Sequence, residues 1–353
     1  MKNKILTEVK SLPLREAGRG PLLFLLLALV LLSIANVLWG SLDIPIKNVW
    51  QILCGGEVEG HPAWSIIVRQ GRVPQMLTAL FTGMALGTCG LLLQTAFRNP
   101  LAGPSILGID SGANLGVAIV LLLLGGTVSI GSLSLGGHLL VVVAAMTGAL
   151  AIMALLMILS RLLRSQVMLL ITGVIISYVT GSVIQLLNYS ATEQGVFSFV
   201  IWGMGNFASV GIERLPVFCI LSCLGLLLAL LLIKPLDALL LGDRYAENLG
   251  IRIGRVRQML LLVTGLLTAT TTAFCGPISF IGLAVPHLAR LALGTAWHRT
   301  LMPATMLIGA NLALACNLLS TLPRDGSIIP ISVITPLIGA PVVLHVILKQ
   351  RHD

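Results

Sequence analysis

The stretch at 234–257 reads KPLDALLLGDRYAENLGIRIGRVR and carries eight charged side chains in 24 residues. Over the whole 353-residue chain only 10% of residues are charged and 56% are hydrophobic, with a mean hydropathy of +1.00. A soluble domain carries about a quarter charged residues, so this chain lacks the polar groups to coat a water-facing surface. One charge at the centre of a bilayer costs about 2.5–3.5 kcal/mol, and eight would cost on the order of 20 kcal/mol. The stretch therefore stands outside the membrane and most of the chain lies within it. The expected class is an all-α polytopic membrane protein, because backbone polar groups in lipid must be satisfied inside each segment. The apolar runs are too long, and alternate too little, for a β-barrel.

Outward from that stretch, a helix needs about 20 apolar residues to cross the hydrocarbon core. Ten spans are expected, at 21–40, 73–97, 104–125, 138–159, 167–188, 213–233, 257–274, 278–294, 302–320 and 331–348. With the N-terminus inside and the sides alternating, seventeen of the 22 lysines and arginines fall inside and five outside. The positive-inside rule thus places both termini, the tail 1–20 and the segment 234–257 in the cytoplasm. The net charge of +9 sits in short loops between apolar runs, which reads as an orientation signal and not as a nucleic-acid surface. The apolar run from Pro21 to Trp39 is long enough to span and shows no small-residue cleavage site, so it is expected to be the first span rather than a signal peptide.

Within 234–257, Pro235 suits a first helical turn and Gly242 can end that helix; Asp243 is a good N-cap for a second and Gly250 a good stop. Two short helices are expected, the second presenting Ala246 and Leu249 on one face. Such a segment either lies on the lipid surface or docks a cytoplasmic partner. Asp243 and Glu247 suit an anionic membrane surface poorly and favour docking.

Gly83 and Gly87, and then Gly108, Gly112 and Gly116, recur every fourth residue, a spacing that lets helix backbones approach closely in lipid. GPSILGI at 103–109 and GPISFIGL at 276–283 are each expected to open a short or discontinuous helix, the hint of an inverted repeat. Asp110 is expected near the cytoplasmic start of the third span and Glu213 at the outer edge of the sixth, leaving no ionisable group deep in any span; that argues against proton coupling. The six cysteines form no CxxC pair, and no two histidines lie three to five residues apart, so no metal site is expected. His287 reads as a packing or loop-fixing residue. No lysine follows a glycine, so the chain has no GxxxxGK[ST] phosphate loop and cannot hydrolyse ATP by that route.

LGDRYAENLGIRIGRVR at 241–257 resembles the ATPase-coupling segment of the FecCD-type permeases of ABC importers for iron-siderophores, haem and vitamin B12. GRVPQMLTALFTGMALGTCGLLLQTAFRNPLAGPSILGIDSGANLG at 71–116, VIWGMGNFASV at 200–210, GPISFIGLAVPHLARLALG at 276–294 and IPISVITPLIGAPVVLHVIL at 329–348 agree in the same order. The resemblance runs from about residue 21 to the end and implies a single permease domain over 1–353 with the ten-helix type II importer fold. It implies a second permease subunit, the same chain or a sister, around a central path for a metal chelate. Two cytoplasmic ATPases would bind around Gly242, Asp243, Ala246, Glu247, Leu249 and Gly250. No cofactor would bind this chain; ATP and Mg would sit on the ATPases. A periplasmic or lipid-anchored binding protein would dock on the outer face at Arg69, Arg72 and Arg324, though ordinary interface anchoring explains those arginines equally, and Gln75 stands where some relatives carry a second arginine. The inner gate would lie at Ser165 and Gln166, and Trp202 to Phe207 would start a short helix over the outer mouth. The location would be the inner membrane. The alternative is a secondary transporter of a small solute with no ATPase partner.

Overall fold

A computed structural model describes residues 19–125, 127–130, 133–163, 165–323 and 328–352. The chain opens with α1 (Arg19–Leu38) and the short amphipathic α2 (Ile46–Leu53), whose Val49 and Ile52 are buried. A short turn of helix, Pro62–Ile66, and a π-turn, Ile67–Arg72, lead without a break into α3 (Val73–Phe97). Then come α4 (Ile109–Ala118, extended by a π-turn to Leu123), a hairpin of β1 (Thr127–Ile130) and β2 (Leu133–Gly136), and α5 (His138–Leu162). The middle of the chain forms α6 (Gln166–Ser190), α7 (Glu193–Gly203) and α8 (Leu215–Leu231). The charged stretch forms α9 (Ile233–Leu240) and α10 (Asp243–Asn248). The last four helices are α11 (Ile253–Cys275), α12 (Ile281–Leu293), α13 (His298–Ser320) and α14 (Ile331–His352).

Six of these stretches are long and apolar enough to cross a membrane: 20–38, 62–97, α5, 167–190, α11 and α13. A seventh is the pair α8 and α9, bent by 46°; two shorter apolar helices lie at 109–123 and 281–293, and an apolar stretch at 331–344 opens α14. Every expected span overlaps one of these elements, and two of the elements, 109–123 and 281–293, are shorter than a full crossing.

The centre is built on α3, α11 and α13, and glycine decides how closely they approach. A Cβ on Gly83 of α3 would meet the Gly309 carbonyl oxygen of α13 at 2.1 Å, and one on Gly309 would meet that of Gly83 at 2.2 Å. The second glycine series does the same between α4 and α5: Gly112 faces the Gly148 carbonyl at 2.4 Å and Gly116 that of Ala144 at 2.1 Å. Without a Cβ, two helices gain van der Waals contact along their backbones, which is what holds helices together where water does not. Side-chain amides add polar glue at one end. Asn317 Nδ2 donates to Asn36 Oδ1 (2.7 Å), Gln75 Nε2 donates to Asn317 Oδ1 (2.8 Å), and Asn36 Nδ2 donates to the Leu314 carbonyl (3.1 Å), tying α1, α3 and α13.

The two Gly-Pro segments are alike in structure. Gly103-Pro104 begins a 3-10 turn that ends at Gly108, with φ 75°, and α4 follows; Gly276-Pro277 begins an extended run that ends at Phe280, with φ 68°, and α12 follows. They also touch, since a Cβ on Gly282 would lie 3.0 Å from Pro104 Cδ. Because α4 starts only after this irregular run, Asp110 is not at the membrane edge, as expected, but inside the bundle. Thr272 Oγ1 donates to its Oδ1 at 2.7 Å, and Thr272 lies about 28 Å along α11 from Ile253 at about 1.5 Å per residue. Asp110 therefore lies near the end of α11 away from Ile253, not at the cytoplasmic start of its span where it was expected. A second correction concerns the short helix expected to start at Trp202: the helix is α7, which Trp202 and Gly203 end, and Met204 to Asn206 form the turn that leaves it before a 3-10 turn at Phe207–Ser209. That turn is stitched to two other segments, Asn206 N–H to the Cys275 carbonyl (2.8 Å) and Ser332 N–H to that of Met204 (3.1 Å).

Replacing Gly83 with alanine is expected to destabilise the detergent-solubilised protein by about 1–3 kcal/mol, the usual cost of overpacking. Gly254→Ala, where nothing lies within 4 Å of the new Cβ, should be neutral or slightly stabilising. Thermal unfolding of the two variants side by side checks the contrast.

Candidate functional site

The charged stretch turns out to be a braced knob. Gly242, at φ 112°, supplies the turn between α9 and α10, and Gly250, at φ 82°, ends α10 with its N–H on the Glu247 carbonyl. Asp243 is the first residue of α10, not its N-cap; the cap is Gly242, with no side-chain bond. The reason is that the carboxylate is taken by arginines. Asp243 Oδ1 accepts from Arg98 Nη2 at 2.6 Å and Oδ2 from Arg257 Nη2 at 3.3 Å. Arg98 is itself the left-handed residue (φ 46°) that ends α3. Both pairs are more than a quarter exposed, so each contributes at most about 1 kcal/mol; together they tie the knob to the ends of α3 and α11. His287, expected to fix a loop, faces the Pro100 carbonyl with Nε2 at 2.9 Å and so pins the segment after Arg98.

The face offered to a partner differs from the one expected. Ala246 is fully buried, whereas Leu249 is 58% exposed, so the two do not share a face. Tyr245, four residues before Leu249, is 53% exposed, and Leu241, just before the Gly242 turn, is 56% exposed. Glu247 is exposed beside them. Tyr245 and Leu241 were missed, although the four-residue steps from Leu241 to Tyr245 and from Tyr245 to Leu249 were readable.

At the far end of the bundle, Arg72 is turned inward. Its guanidinium donates to the carbonyls of Val37 (3.1 Å), Leu38 (2.8 Å) and Leu42 (2.5 Å), and the residue is 6% exposed. It satisfies the orphan carbonyls at the end of α1, so it is not free to meet a docking protein as expected. Arg69 is exposed, with Nε and Nη2 both donating to the Ile52 carbonyl at 3.0 and 2.6 Å. Arg324 lies outside the described residues. Ser165 is exposed in the extended link between α5 and α6 and lines a crevice with Phe97, Ser160, Leu163 and Arg257. Gln166 begins α6, and its side chain lies outside the described residues.

One further feature was missed. Residues 167–190 are of spanning length, yet only Leu169, Leu170, Gly173 and Thr180 among them are buried. Tyr178, Ser182, Gln185 and Tyr189 are all exposed and recur at i, i+4, i+7 and i+11, which puts them on one helix face. Polar groups facing hydrocarbon are costly; Ser182 Oγ donates to the Tyr178 carbonyl at 3.0 Å, which leaves the two tyrosines and Gln185 as the polar groups this face presents. The same spacing was legible in the sequence but was masked by the high mean hydropathy of the span.

A multi-pass bundle with interrupted helices, a polar stripe on one span and a charged knob at one end defines an integral membrane transport protein. Residues 25–349 match the FecCD transport family, and the chain belongs to that family. It is 34% identical over 331 residues to the hemin transport system permease protein HmuU of Yersinia pestis, covering 94% of this chain and 96% of that one. It is 35% identical over 322 residues to the molybdate import system permease protein MolB of Haemophilus influenzae, covering 90% and 92%. Its fold is similar, with a TM-score of 0.81 at 30% identity, to a solved chain described as an inward-facing conformation of a transporter assigned to the metal-chelate ABC type; 94% of this chain and 100% of that one are covered.

Truncating Arg72 to alanine should leave three carbonyls without a charged donor and lower stability by about 3 kcal/mol or more. Arg69→Ala, at an exposed site, should cost less than half as much in the same thermal melt.

Proposed function

We propose that this chain is the membrane-spanning permease subunit of an ATP-driven importer for a metal chelate or a metal oxyanion, working by alternating access. The observation that carries the reading is the knob: a charged segment outside an apolar bundle, braced by Arg98 and Arg257, with Leu241, Tyr245 and Leu249 left exposed. Exposed aromatic and aliphatic side chains on a rigid base are what a protein partner grips. The relatives named as permeases of a hemin transport system and a molybdate import system support the transport role and widen the substrate class beyond organic chelates.

In this reading the whole chain is one permease domain in the cytoplasmic membrane, with ten crossings, both termini and the 234–257 segment inside, as the lysine and arginine bias favours. Two of the ten crossings, those of α4 and α12, are short helices completed by irregular backbone buried within the protein. Two ATPase subunits, which hold ATP and Mg, grip the knob at Leu241, Gly242, Asp243, Tyr245, Ala246, Glu247, Leu249 and Gly250; Asp243 and Ala246 hold its shape while the others touch the partner. A second copy of the chain closes a path along the Tyr178–Tyr189 stripe. Ser165 and Gln166 stand at the inner end of that path. A binding protein delivers substrate to the outer face near Arg69 and Arg324. The chain itself carries no cofactor.

Tyr245→Glu and Leu249→Glu should each weaken co-purification of the ATPase at least about tenfold, the scale of losing an interface anchor. Unchanged co-purification, or isolation of an active transporter from native membrane with no ATPase, would support the secondary-transporter alternative instead. Proteoliposome uptake compared among hemin, cobalamin, ferrichrome and molybdate assigns the substrate.

A further inference from the structure

Beside the Asp243 brace runs a second, buried link between the knob and the bundle. Asp237, on α9, accepts with Oδ1 from both the backbone N–H of His298 (2.7 Å) and its ring Nδ1 (2.9 Å). On the other side of the ring, His298 Nε2 lies 2.9 Å from Thr95 Oγ1. The His298 side chain is 1% exposed and that of Asp237 15%. Because a carboxylate only accepts, Nδ1 carries the proton. In the neutral ring, Nε2 then accepts the Thr95 hydroxyl. The chain Thr95, His298, Asp237 has the order of a hydrolase triad, but the imidazole is sealed from solvent, and Thr95 sits one turn from the end of α3. The arrangement is built to hold three elements and not to reach a substrate.

The elements it holds matter. His298 is the first residue of α13, so Asp237 places a negative charge on that helix's N-terminus, where the dipole favours it. Thr95 is close to the C-terminal end of α3. These are the two helices fused along Gly83 and Gly309. Asp237 is on α9, which leads through Gly242 into the exposed helix of the knob. The exposed Asp243 pairs are weak and screened by salt, whereas the Asp237 carboxylate, largely enclosed with two donors from His298, is screened much less.

We infer that the Asp237–His298–Thr95 chain is the strut that carries displacement of the α9–α10 knob into the joined α3 and α13, so that Asp237, His298 and Thr95 are positioning residues that couple ATP hydrolysis to transport. The inference rests on the importer reading above and names the internal route of its stroke.

The test uses the full chain in complex with its ATPase and binding protein, reconstituted in proteoliposomes, with whichever of hemin, cobalamin, ferrichrome or molybdate the unmodified complex takes up. Asp237→Ala and Thr95→Val are expected to keep the ATPase bound and hydrolysing while uptake per ATP falls at least about fivefold, the lower end of a measurable coupling. Asp237→Asn, which keeps an accepting oxygen, and Thr95→Ser, which keeps the hydroxyl, should restore the ratio. A merely structural role would lower the melting temperature and leave uptake per ATP unchanged in the surviving protein, and that result overturns the proposal. Should Asp237→Ala fail to fold, the nearly isosteric Thr95→Val and Thr95→Ser pair decides alone, and equal ratios for the two overturn it. Absence of ATP-driven uptake by the unmodified complex is a different outcome: it sinks the importer reading itself.

Discussion

A backbone carbonyl or amide in hydrocarbon has no water to turn to, and each one left unpaired costs several kcal/mol. Everything irregular in this chain is arranged around that constraint. Where α1 ends, Arg72 reaches in from the start of α3 to take the loose carbonyls. Where the short α7 ends, the chain is stitched to the backbone at Cys275 and Ser332. Where α4 and α12 begin, Pro104 of the run before α4 lies against Gly282 of α12, and Gly282 against Leu86 of α3. Interruptions are tolerated because protein, not lipid, surrounds them.

The same constraint explains what was legible in the sequence. The end of α3 stood out because Arg98-Asn99-Pro100 cannot continue a helix; its start at Val73 did not hold, since the helix runs on without a break from Pro62. The every-fourth glycines foretold the close α3–α13 and α4–α5 contacts, since only backbone approach gives that spacing a purpose. The charged stretch announced itself against an apolar background, and its division by Gly242 and Gly250 followed from turn chemistry. Asp110 was misplaced because an apolar window cannot distinguish a helix that starts at the membrane edge from a buried coil that becomes a helix halfway. Phe280 gave no signal, as a left-handed residue that is not glycine seldom does. Arg72 was misread for a different reason. Its role depends on carbonyls 30 to 35 residues away, and residue type and position alone do not say which way a long side chain turns.

Burial also sorts the candidate sites. Side chains that act by holding, Asp237, His298 and Arg72, are enclosed and have several partners each. Those that act by meeting something else, Tyr245, Leu249 and the stripe on α6, are open. Asp243 lies between: half its work is internal, and it is only partly covered. A charge-reversal at that position would therefore damage the shape of the knob before it altered any contact the knob makes.

The mutual contact of Gly83 and Gly309 has one more consequence. Two backbones already at their closest approach cannot slide past each other without a clash, because carbonyl oxygens project into the groove where a side chain would otherwise sit. A shear between α3 and α13 is thus forbidden, and the pair is obliged to travel as a single rod. Any rearrangement in the proposed cycle then falls on helices less enclosed by this chain, α6 among them, which is held closely only near Gly173 against Gly108.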